Sequence, residues 1–181
     1  MTKVLIPLAQ GCEELEAVTV IDILRRAGIQ VITAGLETGP VRASRGTVLL
    51  PDATLDDALE NEFDMIVLPG GMPGSEHLKN DKRVIASLQK AAAEGKYIAA
   101  ICAAPMALHA ANLLQGKKAT SFPGVLDAMP GSHTYMNDRV VVDGRIVTSK
   151  GPGTAMDFAL TLVELLVGKS KRDAVESDLQ R

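Results

Sequence analysis

Near-continuous apolar runs, each followed by a turn and then a stretch of helical period, constrain this chain most. Strands read this way when both of their faces are covered in a parallel sheet. Lys3 to Leu8 is such a run, closed by Pro7 and Gly11, and Glu14 to Ala27 follows with Leu15, Val18, Ile21 and Leu24 at helical spacing before Gly28. The unit recurs in the strand Gln30 to Ala34, the strand Phe63 to Leu68 ending in Pro69-Gly70-Gly71, and the helix Lys82 to Glu94 stopped by Gly95. Tyr97 to Ile101 predicts a further strand that runs through Cys102 into a helix over Ala104 to Leu114, ended by Gly116. Val140 to Val142 and Ile146 to Thr148 predict a hairpin turning at Asp143-Gly144. Thr154-x-x-Asp157, an acidic capping box, opens a last helix to Val167, closed by Gly168. Alternation of this kind predicts an α/β sandwich with a mostly parallel sheet and helices on both faces.

No linker, low-complexity tract or fixed-period repeat interrupts the pattern, so residues 1–181 are expected to form a single domain. The 19 Lys+Arg against 22 Asp+Glu, without a basic block and with 3% aromatic residues, argue against a nucleic-acid partner. Cys12 and Cys102 form neither a disulfide framework nor a CxxC pair, which fits a reducing cytoplasm. The run in MTKVLIPLAQ is too short for a signal segment or a membrane span. His77, His109 and His133 have no metal-ligand spacing and no phosphate loop occurs, so neither metal nor other cofactor is expected.

In open α/β sheets ligands bind beyond the carboxyl ends of the strands. Cys102 falls there, where a nucleophile gains a backbone turn and the positive end of a helix. Cysteine also suits an apolar core, and the flanking Ala-Ala-Ile and Ala-Ala read that way, so both roles stand open. Glu13, Glu14 and Glu16 crowd the start of the first helix; dipole and capping duty explains the first two, whereas a turn folding over the sheet edge would aim Glu16 at Cys102. Gly70 and Gly71 allow close backbone approach, so the N–H of Gly71 with that of Ala103 would form an oxyanion hole; a plain tight turn explains the glycines equally.

Leu68-Pro69-Gly70-Gly71, Ala100-Ile101-Cys102-Ala103-Ala104-Pro105 and Thr148-Ser149-Lys150-Gly151-Pro152-Gly153-Thr154 together resemble the ThiJ/PfpI superfamily, in the branch of the parkinsonism-associated deglycase and the bacterial chaperone YajL. Glu13 to Val18 and Arg25 to Ile29 carry the resemblance further, and it covers Val4 to beyond Gly168. It implies a flavodoxin-like three-layer sandwich with Cys102 as nucleophile, Glu16 as its acid, and Gly71 and Ala103 as backbone donors. Gly70, Phe122 and Pro152 would line the substrate pocket. It also implies a homodimer through the first helix around Leu15 and the segment Arg45 to Leu50. Two departures bear on chemistry: Ala103 stands where the peptidase branch has histidine, and Phe122 lies in the segment from which human-like members bring a histidine. A peptidase therefore lacks its base.

The resemblance implies a cofactor-free, glutathione-independent glyoxalase or deglycase, acting on an α-oxoaldehyde such as methylglyoxal or on early glycated amines and thiols. The alternative is a redox-sensing holdase chaperone in which Cys102 is oxidised to sulfinic acid. A nonenzymatic binding domain follows only if Cys102 is buried and unreactive. A free thiol titrates near ~8.5, so a useful nucleophile must shift down, and an ionised Glu16 would push it up. The pair works only if Glu16 keeps its proton and offers it to the sulfur, the two titrating as one unit.

Overall fold

The computed structural model describes residues 1–181. In chain order the elements are β1 (Lys3–Leu8), α1 (Glu14–Arg26), β2 (Gln30–Gly35), β3 (Val41–Arg42), β4 (Val48–Leu49), β5 (Ala53–Thr54), α2 (Leu55–Leu59) and β6 (Met65–Leu68). They continue with α3 (Gly74–Asn80), α4 (Lys82–Ala93), β7 (Tyr97–Ile101), α5 (Pro105–Ala110), β8 (Lys118–Ala119) and β9 (Thr134–Tyr135). The chain closes with β10 (Val140–Asp143), β11 (Ile146–Ser149), α6 (Ala155–Val167) and α7 (Lys169–Asp178). Seven strands make one sheet in the order β10-β11-β7-β6-β1-β2-β5, parallel throughout except for β10, which runs antiparallel to β11. Its inner order reverses direction between β1 and β6, the place where doubly wound sheets leave a crevice beyond the strand ends.

The sheet divides two cores. Val4, Ile6 and Leu8 of β1 point into one, with Val20, Ile23 and Leu24 of α1 and Phe158, Leu162 and Val163 of α6. Leu5 points into the other with Ile66, Leu68, Ile98 and Ala100 and with Leu78, Leu88 and Leu108 from α3, α4 and α5. Alternation inside an unbroken apolar run thus feeds both layers, as strands of period two covered on both faces must. No helix is long and apolar enough to cross a membrane.

Several sequence-based expectations change in detail. The stretch after Cys102 is helical only over Pro105–Ala110, because Asn112 adopts φ 59 and Leu113 N–H turns back to Leu108 O at 3.0 Å. Asparagine tolerates this left-handed cap, so the helix stops before Gly116. The hairpin pairs Asp143 with Ile146, which leaves Gly144-Arg145 as the two-residue turn, with Gly144 at φ 63. Thr154 does not cap α6: its hydroxyl bonds Gly151 O at 2.9 Å, while Asp157 pairs with Arg139 and Arg181. On α1 the buried stripe is Glu16, Ala17, Val20, Ile23 and Leu24, leaving Leu15 and Val18 about half exposed. The apolar period at Leu15 and Val18 therefore marks a second, outward stripe. Helix α7 has a single buried residue, Val175, and is laced by the Lys169–Asp173 and Arg172–Glu176 pairs, so hydrophobic period gave no sign of it.

Candidate active site

Cys102 sits between the end of β7 and α5 with φ 64, a conformation that side chains other than glycine's rarely adopt. Two long-range backbone bonds hold it there: its N–H donates to Ser149 O at 2.9 Å, and its C=O accepts from Phe122 N–H at 2.8 Å. The neighbouring strand β11 and the loop after β8 thus clamp the turn, as the structure around a strained residue must.

Glu16 comes from the first turn of α1 and is fully buried. Its Oε2 accepts the Gly70 N–H at 2.8 Å. The Cys102 thiol lies close enough to act on the carboxyl as a hydrogen-bond partner, yet Oε1 makes no well-directed bond. Oε1 has no hydrogen-bond partner, so it is free to take up a proton. Burial pushes the Glu16 carboxyl up to about 7 against the opposing pull of Gly70 N–H and the thiol. Near neutral pH it passes readily between acid and base, as general acid–base work requires.

The Cys102 thiol departs from the sequence expectation. Burial first, then the ionised Glu16, push it up to about 12, while the N–H groups of Gly71 and Ala103 act on the sulfur in the opposite sense. Six-residue α5 begins three positions on, so the favourable field comes from these two N–H groups rather than a long helix beside the sulfur. Transfer of one proton from sulfur to Glu16 removes the repulsion and turns the carboxyl into a donor. The thiolate is therefore favoured only as a pair with protonated Glu16. Cys12 is fully buried, and burial followed by the charge of Glu14 raises it to about 11.

Cys102 opens on a cleft of about 720 Å³ whose wall includes Gly71, Ala103, Phe122 and Pro152. Gly70 does not line it. Its N–H is committed to Glu16 and its C=O accepts from Glu13 N–H at 2.8 Å, so Gly70 lies behind the cleft, contrary to its expected place in the pocket. Met72, Met106, Val125 and Met129 make the remaining wall largely apolar, with Glu13, Ser44 and Arg45 at one edge. The sequence offered no local sign of Ser44, Arg45, Val125 or Met129; only loop closure over the strand ends brings them here. The Glu13 side chain makes no capping bond on α1. Ser44 Oγ donates to Glu13 at 2.9 Å, and the N–H groups of Arg45 and Thr47 donate to Glu14 at 3.0 and 3.2 Å, so the two acids tie down the loop between β3 and β4.

No histidine lines the cleft. His109 and His133 instead meet edge to face, centroids 5.7 Å apart, with Nε2 atoms on Pro130 O and Leu126 O behind the wall. His77 lies on α3 in a separate recess of about 280 Å³ with Asp81 and Arg83.

The raised Glu16 has a consequence for stability. Below about pH 4.5, where the unfolded chain is also protonated, the acid form carries no charge-burial penalty, and stability is lost as pH rises from there through about 7. The shift corresponds to about 3 kcal/mol. Glu16→Gln should therefore be more stable than wild type at pH 8, with the advantage shrinking toward pH 5. Urea midpoints at both pH values test this, and parallel pH dependences in the two proteins would remove the buried-acid assignment.

Residues 2–165 match the DJ-1/PfpI family. Protein DJ-1 homolog A of Arabidopsis thaliana is 48% identical over 179 residues, covering 97% of this chain and 46% of its own length, so the chain spans about half of that relative. The glutathione-independent glyoxalase DJR-1.2 of Caenorhabditis elegans is 38% identical, with 92% of this chain and 89% of the relative covered. The crystal structure of Drosophila melanogaster DJ-1beta superimposes with a TM-score of 0.95 at 41% identity, covering 99% of this chain and 97% of that one.

Proposed function

The chain belongs to the DJ-1/PfpI family, and from that membership and its site we propose a cysteine-dependent, cofactor-free glyoxalase or deglycase acting on methylglyoxal or early glycation adducts. The observation that carries this reading is the buried Glu16 carboxyl, raised to about 7, beside a cysteine on whose sulfur two backbone N–H groups act. The glyoxalase name of the nematode relative supports the same substrate class.

In the proposed sequence Cys102 sulfur adds to the aldehyde carbon as its proton passes to Glu16, and the N–H groups of Gly71 and Ala103 steady the new oxyanion. Glu16 returns the proton to that oxygen, giving a hemithioacetal. The carboxylate then takes the C1 hydrogen and delivers it to C2 through an enediol, forming a thioester. Water cleaves the thioester, releasing lactate and restoring the thiol, so the sum is methylglyoxal plus water to lactate. No electron acceptor is consumed. Lactate formation by purified protein without glutathione, in the presence of chelator, is the expected result, lost in Cys102→Ser. Full activity in Cys102→Ser, or none in wild type, would refute the assignment.

The same groups favour a second reading as a redox sensor with holdase activity, because a sulfinate on Cys102 would be held by Gly71 and Ala103 N–H and by protonated Glu16. Mild peroxide should add two oxygen atoms to Cys102 and leave fully buried Cys12 untouched. Peptide mass mapping decides this; a Cys12–Cys102 disulfide as the main product would overturn it. Exposed Leu15, Val18, Val48 and Leu50 support the proposed homodimer, since an apolar patch on α1 and the β4 edge suits a two-fold contact.

A further inference from the structure

Phe122 and Pro152 line the Cys102 cleft on one side and a second recess of about 280 Å³ on the other. The Phe122 ring lies over Gly151, where an added Cβ would sit 3.3 Å from its Cδ2. The second recess contains Arg139 and Lys150 and no acidic residue. Arg139 is answered by Asp157 at 2.7 Å and also donates to Gly153 O at 3.0 Å. The Lys150 ammonium has only the neutral Asn137 amide oxygen as partner. A positive charge without a carboxylate thus stands one ridge away from the reactive thiol, in a chain whose formal net charge is −3.

Size points the same way. Methylglyoxal fills the space of three or four water molecules, roughly 100 Å³, against about 720 Å³ in the cleft alone. The polar ends also differ in charge: Glu13 and Arg45 stand together at one edge, 4.0 Å apart, where opposite charges offset each other, and Lys150, without a carboxylate partner, lies beyond the other. An elongated ligand would be oriented by this difference.

We propose that the recess beyond Phe122 and Pro152 is an anion subsite, which takes the carboxylate or phosphate of a substrate whose carbonyl is presented to Cys102. This rests on the reading of the cleft as the reaction site. Preferred substrates are then adducts or oxoaldehydes extended by an anionic group, with Lys150 setting the preference.

Alkylation tests the subsite without relying on turnover. Intact protein is treated at low ionic strength with N-ethylmaleimide, N-(2-carboxyethyl)maleimide and N-(2-phosphonoethyl)maleimide. The Cys102 rate is read by peptide mapping and divided by each reagent's rate with free cysteine. The anionic reagents should react about three- to fivefold faster than the neutral one, the scale of one exposed ion pair, and added salt should erase the difference. Lys150→Gln should bring the ratio to about one. Lys90→Gln, the same charge change on α4, should preserve it. A larger gain with phosphonate would assign a phosphate ester, and a larger gain with carboxylate an amino-acid or peptide carboxylate. A ratio of one in wild type, or a preference that survives Lys150→Gln, overturns the subsite. Lactate formation with no anionic preference would sink the subsite alone; an anionic preference without lactate formation would sink the catalytic reading alone. Failure of all three reagents to modify Cys102 would sink both.

Discussion

Glu16→Gln should reduce lactate formation from methylglyoxal by ~100-fold or more while leaving Cys102 alkylation at least as fast as in wild type. Glutamine has nearly the shape of the carboxyl it replaces, and its amide oxygen can still accept the Gly70 N–H that Oε2 takes at 2.8 Å. Its NH2 can face the sulfur. What disappears is a group that titrates near 7, and proton transfer by such a group is worth ~100- to 10,000-fold. The negative charge that pushes the Cys102 thiol up disappears as well, so the thiolate becomes easier to form. Iodoacetamide kinetics across pH and a lactate assay on the same preparation separate the two effects. Wild-type lactate formation in Glu16→Gln would end the acid–base assignment, and slower alkylation would show that the carboxyl activates the sulfur in some other way.

Gly71→Ala should be among the most damaging single-methyl changes in the chain. The added Cβ would lie 2.3 Å from Glu13 N, 2.7 Å from Cys12 C and 2.7 Å from Gly11 O, all backbone atoms that cannot swing aside. Gly71 also has φ 91, which an alanine adopts only under strain. Overpacking and strain together should cost roughly 3 kcal/mol or more. Gly28→Ala separates the two contributions, because Gly28 has φ 77 and nothing within 4 Å of the added atom, so strain alone should cost about 1 kcal/mol. Denaturant midpoints of both variants give the comparison; equal losses would mean that the Gly11–Glu13 turn yields and that the Gly71 N–H is not rigidly held against Cys102.

Much of the sheet was legible because the signals are local. The run Lys3–Leu8 and the run Tyr97–Ile101 are strands over the residues their apolar pattern marks, and Cys102 follows the second directly. A glycine pair after Leu68 allows either a tight turn or a close backbone approach, and the atoms around Gly70 and Gly71 show how close the approach is. Helix ends were less legible. Asn112 and Thr154 choose among hydrogen-bond partners that only neighbouring segments supply.

Periodicity by itself determined that the chain alternates strands and helices, that its strands are covered on both faces, and that a cysteine stands at the end of one of them. Those properties depend on side-chain spacing of two or 3.6 residues, which any short window contains. Tertiary structure alone decided that Glu16 is buried while Leu15 and Val18 face outward, since the choice depends on what α1 packs against. It decided too that Gly70 stands behind the cleft, that Ser44, Arg45 and Val125 help to enclose it, and that Lys150 reaches the far side of Phe122. The direction of each pKa belongs with these, because desolvation and field depend on groups such as Gly70, 54 residues away from Glu16 along the chain.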